Sequence, residues 1–259
     1  MQLKIYLNKS LEENAGIYFD KAKKLKKKIE GAREALAESQ KRKEKLLREK
    51  AEATTEAEVQ VRKRERKWYE KFRWFYTSDG FLVIGGRDST TNELAIKKHT
   101  DKNDMVFHTD MAGSPFFVIK SDNREIPKSS IQEVADATVS FSKAWKLGLQ
   151  TTSVFHVKPE QVSKKAQAGE YLTKGAFMIY GETIYINNTV NLAAGTYQES
   201  VMVAPLAAIQ KHCKEFIVLK QGTRKPSDIA KKFRAQFGGD LDEIIRALPS
   251  GGIEVQKQR

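Results

Sequence analysis

A narrow apolar stripe near the start of the sequence most constrains what this chain can fold into. Its members are separated alternately by four and three residues, a spacing that places them on one face of a helix in a left-handed coiled coil. They are Leu11, Ala15, Tyr18, Ala22, Leu25, Ile29, Ala32 and Leu36. Ser10 and Glu13 have the spacing of a capping box, so we predict a helix that begins near Leu11, after a short strand at Leu3–Leu7.

The stripe weakens beyond Leu36, because polar residues take positions that the spacing would give to apolar ones. These residues are Ser39, Lys43 and Lys50. The polar run Ala53-Thr54-Thr55-Glu56 can reverse the chain, and Glu58 to Arg73 has a helical pattern again. We therefore predict an antiparallel helical hairpin in residues 1–72, with a polar tip suited to a protein partner. A homodimer is the alternative, since one stripe fits pairing within a chain and between chains.

Beyond Trp74 the pattern changes to short apolar runs separated by Gly, Asp and Asn, which is typical of strands. The predicted strands are Phe81–Ile84, Met105–His108, Phe116–Ile119, Thr151–Val157, Ala176–Tyr180, Thr183–Ile186 and Phe216–Leu219. The predicted helices are Ser129–Leu147, Ser227–Phe237 and Asp240–Leu248. We predict the fold class as α+β, in which the long antiparallel helical hairpin, a coiled coil, is followed by one mixed α+β domain in residues 73–259.

Positive charge is concentrated in the predicted hairpin. The 259 residues carry a formal net charge of +13, and the chain through Phe75 holds 22 Lys or Arg against 13 Asp or Glu. Such an excess favours a phosphate-rich partner, because phosphates that are neutralised by a protein release their counterions. A solvated helix surface is the alternative.

Several classes of protein are disfavoured by what the sequence lacks. It has no run of about 18 apolar residues, and Met1 to Lys9 is too short and too charged for a secretory signal, so we expect no membrane partner. Cys213 is the only cysteine, which excludes an internal disulfide or a cysteine-based zinc site and fits a cytoplasmic protein. Because Walker phosphate loops, dinucleotide fingerprints and nucleophile elbows are missing, we expect no enzyme, no cofactor and no metal.

A series of short strings occurs in a fixed order in the second part of the chain. They are Lys71-Phe72-Arg73-Trp74-Phe75, Thr77-Ser78-Asp79-Gly80, Val83-Ile84-Gly85-Gly86-Arg87-Asp88, Asn92-Glu93, His108-Thr109-Asp110, Pro159-Glu160-Gln161-Val162-Ser163-Lys164, Gly169-Glu170-Tyr171-Leu172 and Lys174-Gly175-Ala176-Phe177-Met178-Ile179. Together they resemble the NFACT-R domain of the NFACT family of ribosome-associated quality-control factors, over roughly Lys67 to Gly181. The predicted hairpin resembles that family's coiled-coil region.

The resemblance implies an RNA-binding domain of a factor that binds obstructed large ribosomal subunits carrying peptidyl-tRNA and supports tailing of the nascent chain. Its expected partners are the large ribosomal subunit and ribosomal RNA, transfer RNA or both. Family members also carry two domains ahead of the coiled coil, which these residues do not contain, so we expect a fragment or a naturally short member. The sequence departs from the family pattern at Thr109, where Ala is usual, and at Tyr180, where Arg is often found.

The residues expected to contact RNA combine basic side chains at the domain entry, a glycine turn, a His-Thr-Asp string and a polar loop. They are Arg62, Lys63, Arg64, Arg66, Lys67, Arg73, Trp74, Arg87, Asp88, His108, Asp110, Lys120, Gln161, Ser163, Lys164, Lys165 and Lys174.

Each of these groups also has a structural interpretation. The aromatic residues at the domain entry can simply anchor a helix, the polar loop can order itself, and Arg87 can pair with Asp88 or Glu93 in a hairpin turn. A packed, hydrogen-bonded His108 is favoured over RNA contact. Two functions remain as alternatives to RNA binding: a coiled-coil adaptor for a protein partner and, less favoured, an RNA-processing enzyme that uses His108 and Asp110.

Overall fold

The structure, a computed structural model, describes residues 4–55, 65–165 and 172–256. The chain divides into two compact units, Met1–Glu65 and Arg66–Arg259. This boundary lies before the one predicted between residues 72 and 73, because Tyr69 and Phe72 are buried in the core of the second unit.

The first unit contains the long helix α1, Leu11–Thr55. Its predicted capping box is confirmed: the Ser10 amide donates to the Glu13 carboxylate at 2.8 Å, and the Glu13 amide donates to the Ser10 hydroxyl at 3.1 Å. At 1.5 Å per residue the helix is about 70 Å long. It continues through residues 53–55, so the chain does not reverse at Ala53 as predicted.

The strand predicted at Leu3–Leu7 is wrong where the structure describes it, because residues 4–10 form coil and a turn. The Tyr6 amide donates to Asn14 Oδ1 at 2.9 Å, and the Asn14 side-chain amide donates to the Tyr6 carbonyl at 3.0 Å. One side chain of α1 therefore satisfies the backbone groups that a partner strand would have used.

The second arm of the predicted hairpin falls partly on residues 56–64, which lie outside the described residues. From residue 65 onward the helical prediction is wrong, since 65–67 are coil, Trp68–Lys71 is a single 3₁₀ turn and Arg73 begins a strand. Tertiary burial explains the difference: Phe72 and Phe75 are fully buried, and this packing overrides the local helical pattern.

The elements of the second unit, within the described residues, are as follows. The strands are β1 Arg73–Tyr76, β2 Leu82–Gly85, β3 Met105–Thr109, β4 Phe117–Ile119, β5 Val154–Val157, β6 Val162–Ser163, β7 Met178–Ile179, β8 Ile184–Ile186, β9 Leu192–Tyr197, β10 Ser200–Ala204, β11 Phe216–Arg224 and β12 Ile253–Gln256. The helices are α2 Ser89–Lys98, α3 Lys128–Ser140, α4 Lys143–Leu147, α5 Leu206–His212, α6 Pro226–Phe237 and α7 Leu241–Ala247.

Antiparallel strands form three sheets. The largest has the order β1-β2-β4-β3-β5-β8, a second has the order β10-β9-β11-β12, and β6 pairs with β7. Helices α2 and α3 pack against the six-stranded sheet, while α5 packs against β9 and β10. The predicted α+β fold class is confirmed, with a long helix, where a helical hairpin was predicted, followed by a mixed domain.

One hydrophobic core joins the two larger sheets. Its largest fully buried side chains include Phe72, Phe75, Phe107, Trp145 and Phe233. Such a core leaves few polar groups inside, so the buried charged residues described next are exceptions that require an explanation.

Candidate nucleic-acid interface

A cleft of about 440 Å³ opens beside the start of α2. We call it the arginine cleft and define it by six of its lining residues. They are Arg73, Arg87, His108, Phe116, Phe141 and Lys174. Three elements position the charged ones: Arg73 lies in β1, Arg87 follows β2, and Lys174 lies just before β7.

Arg73 is buried although it carries a charge. Its guanidinium donates through Nη1 to the carbonyls of Ala247 and Leu248, both at 3.1 Å, and lies 4.4 Å from the centre of the Phe141 ring. Burial, and secondarily the neighbouring charge of Arg87, lowers the pKa of Arg73 to about 9. Arg87 therefore sits close enough to disfavour the charge of Arg73.

Arg87 is half-buried, and within the described residues its guanidinium forms no ion pair, although the charges of Glu243 and Asp88 act on it. One terminal nitrogen donates to the Glu70 carbonyl at 3.2 Å, while the buried Nε has no hydrogen-bond partner. Burial is the main cause that lowers the pKa of Arg87, and the charge of Arg246 lowers it further. Within the described residues, neither Arg73 nor Arg87 forms an ion pair with a carboxylate.

Two glycines before Arg87 allow this turn to pack closely. A Cβ on Gly85 would overlap the Phe117 ring, and a Cβ on Gly86 would overlap the Asn92 side chain. One interpretation of the sequence was that Asp88 pairs with Arg87. In the structure Asp88 instead caps α2 by accepting from the Thr91 amide at 2.8 Å. Hydrogen bonds from Thr91 are the main reason that the pKa of Asp88 is lowered.

Helix α2 brings the glycine turn together with the polar loop around residues 161–165. Glu93 accepts from Lys164 Nζ at 2.6 Å and from the Gly175 amide at 3.1 Å, and these two bonds, Lys164 first, lower the pKa of Glu93 to about 2. Gly175 has a φ of +83°, and a Cβ there would lie 2.5 Å from Ser89 Cα. These contacts place Lys174, which is exposed, at the mouth of the arginine cleft.

His108 and Asp110 have separate partners. His108 Nε2 lies 3.1 Å from the Ser114 carbonyl, and its ring stacks on Phe116 at 4.0 Å between centroids. Burial lowers the pKa of His108, so the imidazole is neutral at pH 7 and Nε2 donates to that carbonyl. Asp110 accepts from the Tyr185 hydroxyl at 3.3 Å. This arrangement supports the packed His108 that the sequence favoured.

Three predicted contact residues are engaged by other parts of the fold, and two of them, Trp74 and Lys120, are buried. Trp74 is only 7% exposed and packs in the core. The buried ammonium of Lys120 pairs with Asp104 and with Asp101, so its charge is already neutralised. The Gln161 side-chain amide donates to the carbonyls of Tyr180 and Glu182, at 2.9 and 2.7 Å. Their assignment to RNA contact stays a prediction, although these contacts already engage the three side chains.

The remaining predicted contact residues lie at the surface or outside the residues that the structure describes. Arg66 pairs with Glu243 at 2.7 Å, and Lys67 donates to Gln198 at 2.7 Å, so both are exposed but partly engaged. Ser163 accepts from the backbone amide of the exposed Lys165 at 3.0 Å. Arg62, Lys63 and Arg64 lie outside the described residues.

The aromatic wall of the cleft was missed in the sequence. It is formed by Phe116, Phe141 and Phe177, which come from three separate parts of the chain. Trp68 was also not among the predicted contact residues, although it is 47% exposed and stacks on His99 at 4.6 Å. Its place among the basic residues Lys67 and Lys71 was the signal that could have identified it.

The described residues contain neither a metal-binding cluster nor a membrane-spanning helix. No group of three His, Cys, Asp or Glu side chains there is arranged to hold a metal ion. None of the helices in that part of the chain combines the length and the apolar character needed to cross a membrane.

Comparison with known proteins shows which family and which relatives this chain resembles. Residues 71–181 match the family model described as the NFACT protein RNA binding domain. The chain is 44% identical over 202 residues to the archaeal Rqc2 homolog aRqcH of Methanocaldococcus jannaschii, covering 75% of this chain and 30% of that protein. It is 36% identical over 174 residues to the ribosome quality control complex subunit NEMF of Homo sapiens, covering 67% and 16% respectively.

A solved structure is also similar, although weakly. The C-terminal part of the fibronectin/fibrinogen-binding protein from Streptococcus suis aligns at a TM-score of 0.39 and 19% identity, covering 71% of this chain and 78% of that chain. A similarity at this level adds nothing to the sequence matches.

Residues 71–181 of the second unit match an RNA-binding domain of the NFACT type, and the basic cleft lies in the same unit. The chain is thus similar to the NFACT family over residues 71–181 and to ribosome quality-control relatives over two thirds or more of its own length. It spans less than a third of the length of the two relatives named above.

Proposed function

We propose that this chain is the RNA- and ribosome-binding portion of a cytoplasmic ribosome quality-control factor and that it has no catalytic activity of its own. The observation that carries the proposal is the match of residues 71–181 to an RNA-binding domain, together with relatives that are named for ribosome quality control. Its partners are the large ribosomal subunit and ribosomal RNA, transfer RNA or both. We further propose that it prefers an obstructed subunit that carries peptidyl-tRNA and that it supports tailing of the nascent chain.

The surface of the second unit supports RNA as the ligand. The arginine cleft offers two guanidinium groups that lack a carboxylate among the described residues, with Lys174 at its mouth. The exposed ring of Trp68 lies close to His99, whose Nε2 is 3.1 Å from Lys71 Nζ. Exposed aromatic rings beside basic groups suit stacked bases and their phosphates.

Co-sedimentation with isolated large ribosomal subunits tests the proposal. The full chain is mixed with subunits that carry or lack a trapped peptidyl-tRNA, over a series of salt concentrations. We expect pelleting that weakens as salt rises and that is stronger on the obstructed subunit. A chain that stays in the supernatant at low salt would contradict ribosome binding.

A charge-reversal variant tests the basic run at the domain entry. Replacing Arg62, Lys63, Arg64, Arg66 and Lys67 by Glu should weaken pelleting sharply. The matched control reverses Lys211, Lys214, Lys220, Lys231 and Lys232, which are equal in number and exposed. If both variants lose the same affinity, net charge rather than the domain entry is responsible; if neither loses affinity, the basic run has no part in binding.

A second function, a coiled-coil adaptor, is favoured by the exposed stripe of α1. Leu11, Leu25, Ile29 and Leu36 have exposures of 79%, 51%, 55% and 61%, which is unusual for large apolar side chains on one helix face. We propose as its occupant a second copy of this chain, or a protein partner at the tip. Sedimentation equilibrium in high salt tests this function, because a dimer held by apolar contacts persists there, whereas RNA binding does not.

A further inference from the structure

The arginine cleft holds more positive charge than its surroundings neutralise. Arg73 and Arg87 face no ion-pair partner within the described residues, and Arg87 Nε is buried without a hydrogen bond. Buried charges in proteins are normally paired, because an isolated charge loses its hydration. A cleft built in this way is completed by an anion.

The carboxylate that lines the cleft is already in use. Asp88 is the one carboxylate among the residues that line the cleft, and it caps α2 through Thr91. That cap also occupies the Thr91 amide at the start of the helix, and the charged donors left for an anion are side chains. Arg87 and the exposed Lys174 supply donors for it, with Arg73 contributing positive charge at the floor of the cleft.

The size and lining of the cleft fit one nucleotide. A volume of about 440 Å³ lies within the range of small-ligand sites, roughly 300–1,000 Å³. One wall is aromatic, and its partly exposed member, the side chain open to a base, is Phe177; Phe116 and Phe141 are only 3% and 6% exposed and pack in the core. Aromatic walls bind bases by stacking, and a base is free to enter such a wall only when it has left its own stack.

We infer that the arginine cleft binds a single unstacked nucleotide of the RNA, with its phosphate on Arg87 and Lys174 and its base against the aromatic wall. This inference rests on the proposed RNA-binding function and names the site and the state of the RNA that it recognises. It makes single-stranded segments or ends, rather than continuous duplex, the part of the RNA that enters the protein.

Mononucleotide binding tests the cleft directly. Isothermal titration of the full chain at low salt uses AMP, adenosine and inorganic phosphate as probes. We expect AMP to bind at least about tenfold more tightly than either adenosine or phosphate, because only AMP uses both the arginines and the aromatic wall. Adenosine that binds as well as AMP would overturn the role of Arg87, and phosphate that binds as well as AMP would overturn the role of the wall.

Two variants and a matched control locate the site. Arg87→Gln should weaken AMP binding about tenfold or more, and Lys174→Gln, at an exposed position that leaves the fold intact, should weaken it severalfold. Arg234→Gln makes the same charge change at an exposed position of α6 and should leave AMP binding unchanged. Equal losses in all three variants, or no loss in Lys174→Gln, would overturn the assignment.

A binding experiment with RNA distinguishes failure of this inference from failure of the proposed function. Gel shifts compare single-stranded and duplex RNA of equal length, with wild type and Arg87→Gln. We expect wild type to prefer the single strand and Arg87→Gln to lose that preference. A wild type that binds both RNAs equally overturns the nucleotide site alone, whereas a wild type that binds neither RNA overturns the proposed function as well.

Discussion

At the scale of single residues, burial decides whether a basic side chain binds a ligand or holds the fold together. Lys120 and Arg73 are both buried cations, yet Lys120 pairs with two carboxylates, whereas Arg73 donates to two backbone carbonyls and packs on the Phe141 ring. The sequence shows that both residues are basic but not which of them is neutralised. It therefore predicted RNA contact for both, whereas in the structure the charge of Lys120 is already neutralised by Asp101 and Asp104.

Removal of the Lys120 ammonium should destabilise the second unit strongly. Lys120→Ala leaves the buried carboxylate of Asp104 without its cation, and breaking such a buried pair costs about 3–5 kcal/mol. Urea denaturation followed by tryptophan fluorescence measures the free energy of unfolding. The exposed Lys102→Ala is the control and should change it by less than about 0.5 kcal/mol. A loss below about 1 kcal/mol for Lys120→Ala would show that Asp104 finds other partners.

The contacts of Glu93 should persist at an acid pH where most carboxylates have lost theirs. Because its pKa is about 2 in the folded chain against an ordinary value of 4.5, these contacts stabilise the fold fully above about pH 4.5 and are lost as the pH falls toward about 2. Hydrogen exchange at the Gly175 amide, corrected for the intrinsic rate, should show protection that is retained at pH 4 and 3. Glu93→Gln is the comparison; equal protection in both proteins would mean that the carboxylate does not hold this loop.

At the scale of elements, the sequence predicted the segments in which burial and pattern agree. Strands β3, β4 and β5 are runs of large apolar residues, and the sequence predicted a strand at each of them. Strand β9, Leu192–Tyr197, is built mainly from small residues, and α2 is largely polar. Neither element has a strong apolar periodicity, and neither was predicted. The predicted helix at Ser129–Leu147 is two helices, because the Ser142 hydroxyl accepts from the Ala144 amide and starts α4.

The cap of α2 provides a test that separates folding from binding. Asp88→Ala removes the acceptor for the Thr91 amide and should cost about 1 kcal/mol in the free energy of unfolding, whereas Asp88→Asn keeps an acceptor and should cost less. Because Asp88 is a carboxylate beside two arginines, RNA affinity in gel shifts should stay equal or rise in both variants. A clear loss of affinity in Asp88→Asn would mean that the carboxylate itself contacts the RNA.

At the scale of the whole molecule, the positive charge is divided between two units that are stabilised in different ways. The second unit has its own hydrophobic core, whereas α1 is a single helix with an exposed apolar stripe. The sequence predicted this division because periodicity and charge change near the same place. It did not predict the arginine cleft, since the residues that line it are distant in sequence and meet only through the packing of β1, α2 and the loop before β7.

Both units should contribute to electrostatic binding of RNA. Residues 1–65 hold 18 Lys or Arg against 12 Asp or Glu, a net excess close to that of the remainder. If the full chain neutralises about six phosphates, the logarithm of its binding constant should fall with the logarithm of salt concentration with a slope of about −4 to −5. Fluorescence anisotropy with a labelled single-stranded RNA measures this slope for the full chain and for residues 66–259. We expect the shorter chain to keep its fold, because its core is complete without α1, and to show about half the slope. An unchanged slope would place the whole electrostatic contact on the second unit and leave the exposed stripe of α1 free for a protein partner.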